Sequence, residues 1–410
     1  MNDFSTDVDS ASVAVETAVS HYLRRRHSDV NDLTHELIAG PLGTRAVDAA
    51  VMRVIREHLG QLWDQGWLPM DVYQMVRRKR PKSAHSLVVD AIAGYAAAYA
   101  ASTIHPRWHE QLAELEAEPW WDQSRPHASQ WEQRHGLSRS SALLTVIELI
   151  ALFKTMGPLP VIVPPPGGLT GPETHNLGSP VDERILGKIR ALLAKAESTP
   201  FSEEAEALSA KAQELMTRHS IKRAMAGAGG SHEPAASARR IWLDSPYVTA
   251  KSFLVSSVAS ANRCRSVIYD GLGFVTVLGD DVDLEHVELL ITSLMVQATR
   301  AMLSSGPQVA SGGKSRTRSF RHSFLIAYAT RIGERLREIN RASMESAGAE
   351  LVPIFARRRE AVDRLFASLF PHRLASRSVS VGNAAGYGAG RAAADQAVLR
   401  AGRREVSPRH

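Results

Sequence analysis

Arg265-Ser266-Val267-Ile268-Tyr269-Asp270-Gly271-Leu272-Gly273-Phe274-Val275-Thr276-Val277-Leu278-Gly279-Asp280-Asp281 is the stretch that decides the fold class. Residues 265–269 and 274–278 are rich in β-branched and aromatic side chains and read as strands, with Asp270-Gly271-Leu272-Gly273 as the hairpin loop between them. Asp280 or Asp281 then caps a helix on which Leu284, Val287, Ile291, Leu294 and Ala298 recur at spacings of three and four. Upstream, Ile241-Trp242-Leu243 reads as a short strand and 247–262 as a helix. The order strand, helix, strand, strand, helix predicts a small α+β unit.

Working outward, the rest of the chain reads as helical, so the expected fold is mainly α with that one small α+β unit. Residues 1–156 form an all-helical N-terminal domain, with Val47, Val51, Val54, Ile55, Leu59 and Leu62 on one helical face and an Ala-rich helix over 87–101. Six of the seven tryptophans fall there, at 63, 67, 108, 120, 121 and 131, and read as core aromatics. Residues 142–153 are the most apolar run but contain Glu148, so they read as a buried helix, shorter than the ~20 residues a membrane span needs. A Pro/Gly-rich linker occupies 157–180, a helical hairpin 181–224, a flexible linker 225–239, the α+β unit 240–303, a basic linker 304–318 and an Arg-rich helical region 319–410.

The hairpin's first helix carries Ile185, Ile189, Leu192, Leu193 and Ala196 on one face, and its second carries Ala205, Leu208, Ala212, Leu215 and Met216. Its sequence runs Ile185-Leu186-Gly187-Lys188-Ile189-Arg190-Ala191-Leu192-Leu193-Ala194-Lys195-Ala196-Glu197-Ser198-Thr199, then Glu203-Glu204-Ala205-Glu206-Ala207, and closes on Lys211-Ala212-Gln213-Glu214-Leu215-Met216. This resembles the bacterial and phage family known as domain of unknown function 2786, the motif positions being Leu192, Leu193, Ala196, Ser198, Glu204, Ala205, Ala212, Leu215 and Met216. Gly279 and Asp281, Ser319-Phe320-Arg321 with Phe324-Leu325, and the run from Ala385 through Gly390 to Ala393 resemble the segment that accompanies the hairpin in such proteins. The N-terminal helical segment is similar to that of actinobacterial members. The resemblance implies an architecture and no activity, cofactor or catalytic residue.

Composition excludes some chemistry. The lone cysteine, Cys264, makes no internal disulfide, Cys-based zinc finger or iron–sulfur cluster, and no basic-then-apolar leader follows Met1, so a cytoplasmic protein without a membrane anchor is expected. No cofactor is implied. His105, Pro106, His109 and Glu110 have the reverse order of a zinc-protease helix. The glycines at 386 and 390 lack the features of a phosphate loop and read as a smooth strip for close helix packing.

Net charge is +6 over 410 residues, with pI near 9.5, and it is unevenly placed. Residues 314–410 hold 19 Lys+Arg and 8 Asp+Glu, net +11, and the first 313 hold 30 and 35, net −5. Arginine offers phosphate a bidentate fork, so this quarter points to DNA or RNA as partner, through Arg316, Arg318, Arg321, Arg331, Arg335, Arg357, Arg358 and Arg359. The same charge also fits docking on the acidic remainder. The leading expectation is a non-enzymatic nucleic-acid-associated or assembly protein, with the N-terminal helices binding another protein or a second copy. The alternatives are a metal-dependent hydrolase built on Asp281, Asp283, His286 and Cys264, and a helical interaction scaffold.

Overall fold

The computed structural model describes residues 4–168, 180–199, 202–228, 235–269, 271–306, 316–347, 351–372 and 382–396. It divides into two compact units, 1–175 and 176–410. Among the described residues the chain is mainly helical, with 15 α-helices and one three-stranded antiparallel sheet in the C-terminal unit.

The N-terminal unit contains α1 (Phe4–Leu23), α2 (His27–Ala39), α3 (Thr44–Asp64), α4 (Pro69–Lys79), α5 (Lys82–Ala96), α6 (Pro106–Glu114), α7 (His127–His135) and α8 (Arg139–Lys154). The face predicted on α3 is buried throughout, from Val47 to Leu62. Helix α8 buries Ala142, Leu143, Val146, Ile147 and all of 149–153, as expected of a central core helix. Among the described residues no single helix is long and apolar enough to cross a bilayer.

Two expectations need correction. The Ala-rich helix stops at Ala96, and Ala101–Thr103 is a separate turn of 3-10 helix. Of the six tryptophans, Trp63, Trp67, Trp108 and Trp131 are core residues, but Trp120 is 39% exposed and Trp121 half-buried. Both lie in the non-helical stretch between α6 and α7. There the Trp120 indole donates to Asp90 Oδ1 at 2.9 Å and its ring lies under the Arg134 guanidinium at 4.2 Å.

The described part of the first linker, 157–168, is non-helical and tied to the N-terminal unit: Trp67 Nε1 donates to Gly157 O (2.9 Å) and Leu159 N to Gln65 O (2.8 Å). Gly66, at φ +86°, has to be glycine, because a Cβ there would meet the Pro160 carbonyl at 2.9 Å.

The C-terminal unit runs α9 (Pro180–Ser198), α10 (Ser202–Ala228), β1 (Ser237–Trp242), α11 (Val248–Ala261), β2 (Arg265–Tyr269), β3 (Phe274–Gly279), α12 (Asp281–Ser304), α13 (Thr317–Ala347), α14 (Val352–Leu369) and α15 (Ala384–Gln396). The predicted strand–helix–strand–strand–helix order is present, with β1 starting earlier than expected. Strand β3 is central, pairing antiparallel with β1 (Trp242 opposite Phe274) and with β2 (Tyr269 opposite Phe274). All six β3 residues are buried, which is why 274–278 reads as an apolar run broken only by Thr276 rather than as a strict alternation. In the loop, Gly271 and Gly273 take φ of +81° and +86°, conformations open to glycine at little cost. Asp280 caps α12, its carboxylate accepting from Val282 N at 3.2 Å.

One large core and a small satellite of Ala224, Leu351 and Phe355 serve this unit. Leu186, Ile189, Leu193, Ala212 and Met216 of the hairpin join Val255, Val258, Val275, Val277, Val287, Leu294, Phe324 and Ile332 in a single buried cluster. Each fully buried Ile, Leu or Met contributes about 1.5–3 kcal/mol relative to exposure, so the hairpin is held by its neighbours as much as by itself. Gly386 and Gly390 of α15 lie against the backbone of α13. A Cβ on Gly390 would stand 2.9 Å from the carbonyl carbon and Cα of Phe324, and one on Gly386 would stand 3.0 Å from the same atoms of Phe320. The glycine strip read from the sequence is thus a close-packing seam, although Gly382 meets nothing.

Candidate functional site

Two groups of residues carry the chemistry anticipated for the C-terminal unit: the acids at the start of α12, and the arginines of the last quarter. The acids disperse. Asp281 accepts from Ser237 Oγ, Glu285 pairs with Arg190 at 3.3 Å, and Glu288 pairs with Arg239. Asp280 faces Arg358 at 3.5 Å; burial raises its carboxyl above the ordinary range and the Arg358 charge offsets this in part.

Asp283 alone turns fully inward, one helical turn before His286. Its carboxylate takes two hydrogen bonds from Arg263 (2.6 and 3.1 Å) and one from Ser220 Oγ at 2.8 Å. Arg263 also donates to Ser220 Oγ at 2.9 Å and lies 4.9 Å from the centre of the Phe355 ring. Burial alone would raise the Asp283 pKa, but the guanidinium and these hydrogen bonds outweigh it and hold the carboxyl below its usual range. The Arg263 backbone takes a positive φ of 64° right after α11, which turns its side chain back over α12.

His286 Nε2 stands 3.4 Å from His219 Nδ1 on α10. Burial, with the repulsion of neighbouring positive charge, brings the His286 pKa down to about 3, so the ring is neutral. Beside them Gln213, Thr217, Asn262 and Asn340 form a second buried polar set: Gln213 Nε2 donates to Asn340 Oδ1 (3.0 Å), and Asn340 Nδ2 donates to Ala261 O (2.7 Å).

The hydrolase constellation is therefore only partly assembled. Asp283 and His286 come together, and Cys264 is near, but Asp281 points to the β1 end. Among the described residues no group of three His, Cys, Asp or Glu is placed to hold a metal ion. Burial lifts the Cys264 thiol well above its ordinary range, so it stays protonated, 3.4 Å from Asn262 O. Asp283, His286, His219 and Ser220 are each at most 3% exposed. The arrangement can clamp α10, α11 and α12 to one another. Residues missed from the sequence, Ser220, His219 and Arg263, had no local signal: each partner lies on another element.

The eight arginines also separate. Arg331 pairs with Glu334 (3.1 Å) and Asp395, and Arg335, 6% exposed, donates to the carbonyls of Ala394 and Asp395 at the end of α15. Arg358 faces Asp280, and Arg321 is half-buried. Arg316, Arg318, Arg357 and Arg359 are exposed. The eight do not make one open face.

The motif residues of the hairpin are structural. Leu193, Ala196, Ala212 and Met216 are buried, with Leu192 and Leu215 packed at the edge of the same cluster. Glu204 joins the two helices, taking Lys195 Nζ at 2.9 Å and Thr199 Oγ1 at 2.8 Å. Ser198 Oγ donates to Lys195 O at 3.1 Å. The Ala205 side chain and the turn at 200–201 lie outside the described residues.

No curated protein and no solved structure matches the chain. Residues 184–223 match a family model described as protein of unknown function (DUF2786). The stretch from α9 through most of α10 is a DUF2786 domain.

Proposed function

We infer that the C-terminal unit is a non-enzymatic module that binds the phosphate backbone of nucleic acid. The observation that carries this reading is the set Arg316, Arg318, Arg357 and Arg359. All four are exposed, on a quarter of the chain with net charge +11, and none makes an ion pair among the described residues. Exposed arginines outside any ion pair exchange counterions for phosphates. The shared core of hairpin, sheet, α12, α13 and α15 supports reading 279–393 as the hairpin's companion segment.

The test is titration of the full chain with a fluorescent duplex across a salt series. Log affinity should fall with log salt at about −0.9 per phosphate neutralised. The quadruple variant Arg316→Gln/Arg318→Gln/Arg357→Gln/Arg359→Gln should make that slope shallower by about 3 to 4. Absence of binding at low salt, or an unchanged slope in the variant, would overturn the reading.

A further inference from the structure

The N-terminal unit contains a cleft of about 530 Å³, a volume in the range of small-molecule sites. His127 lines it at the first residue of α7. The ring is buried, 6% exposed, and its Nε2 stands 2.8 Å from Asp90 Oδ2. Asp90 is itself held by the Trp120 indole at 2.9 Å. The Asp90 carboxylate takes the hydrogen on Nε2. Nδ1 is buried and has no hydrogen-bond partner among the described residues, an unsatisfied acceptor of the kind that native interiors rarely leave.

The charge of the lining is mostly positive, although Asp122 lies beside Ser124 and Arg125. Arg45, Arg56 and Arg125 line the cleft and are exposed. Among the described lining residues Asp48 is the one acid, and it is spent on Arg139 at 2.5 Å and on Ser129. Arg53, also in the lining, is spent on Asp9 at 2.6 Å. Helix α7 starts here without a side-chain cap, so the positive end of its dipole adds to the field. One wall is apolar, from Ile55 to the ring of Trp121.

We propose that this cleft binds a small organic phosphate of mononucleotide size. The arginines take the phosphate, the Trp121 wall takes a flat apolar body, and His127 Nδ1 accepts a hydrogen from an O–H or N–H of the ligand. Asp90 is the positioning residue that fixes the ring. The site lies in the N-terminal unit and is independent of the C-terminal arginines.

The probe set is a nucleoside monophosphate panel, inorganic phosphate and a 5′-phosphorylated oligonucleotide. Each is titrated into the full chain by calorimetry, with intrinsic tryptophan fluorescence, compared with that of a Trp121→Phe variant, as second readout. At least one monophosphate should bind, more tightly than inorganic phosphate. Arg45→Gln/Arg125→Gln should weaken it at least tenfold. His127→Gln keeps an amide donor toward Asp90 in place of Nε2–H but removes Nδ1; it should weaken binding several-fold while the melting temperature stays the same. Three results would overturn the proposal: no monophosphate bound at millimolar concentration, inorganic phosphate or only the oligonucleotide bound as tightly as any, or affinity unmoved by the double arginine variant.

Discussion

Gly390→Ala should destabilise the C-terminal unit, although helix propensity alone says the opposite. In the interior of an exposed helix, Gly to Ala gains about 1 kcal/mol. At Gly390 the new Cβ would stand 2.9 Å from two carbons of the Phe324 backbone, closer still to its oxygen. Carbon–carbon contacts sit at about 3.5–4.0 Å, so α15 must withdraw from α13 by about 0.6 Å or more. Backbone cannot swing aside as a flexible side chain can. Overpacking of this kind costs about 1–3 kcal/mol, and withdrawal also strains the Arg335 hydrogen bonds to the end of α15, at 3.0 Å to Asp395 O. Hydrogen bonds to a charged group contribute about 1.5–3 kcal/mol each. The net expectation is a loss of about 2 kcal/mol. Gly388, two residues away on the same helix, has nothing within 4 Å of an added Cβ, so Gly388→Ala should stabilise by up to ~1 kcal/mol. Urea titration by circular dichroism measures both, with hydrogen exchange on α13 and α15 assigning the change to this seam. With a slope near 2 kcal/mol per molar urea, the two variants should differ in midpoint by about 1 M or more. Equal stability of the two variants would refute the close-packing argument.

Arg263→Met leaves Asp283 buried without its cation and should cost about 3–5 kcal/mol. Adding Asp283→Asn should recover much of that, a coupling that a double-mutant cycle in urea measures directly. The neutral buried His286 gives a pH dependence of known sign: its pKa falls from 6.5 unfolded to about 3 folded, so between those values the unfolded chain binds the extra proton. Its contribution is complete above pH 6.5 and is lost as pH falls toward 3, by roughly 1 kcal/mol per pH unit. His286→Gln should flatten the stability curve between pH 6.5 and 5, and an identical slope in wild type and variant would count against a buried neutral ring.

The sheet and its flanking helices were legible because their signals are local. Val275 and Val277 declare a buried strand, Gly271 and Gly273 a loop, and Asp280 a cap, each within a few residues. The glycine seam of α15 was legible for the same reason, from spacing along one helix. The polar interior was not. Asp283 meets Arg263 from 20 positions away and Ser220 from 63, and an aspartate in a helix's first turn looks the same whether it is solvated or buried. The arginines failed likewise: Arg335 and Arg357 carry the same charge in sequence, but one is buried against a helix end and the other is exposed. Trp120 and Trp121 misled because aromatic identity signals area to cover, not which side chain covers it.

The bond from Gln213 to Asn340 spans 127 residues, and that span sets a clock for synthesis. At about 5–20 residues per second, the second hairpin helix emerges some 6–25 seconds before its partner on α13 has been made. Through that interval α10, which carries Ala212 and Met216, has no α13 to lie against. A nascent chain of this protein should therefore engage a holdase while ribosomes translate the sheet, and release it once α13 is out.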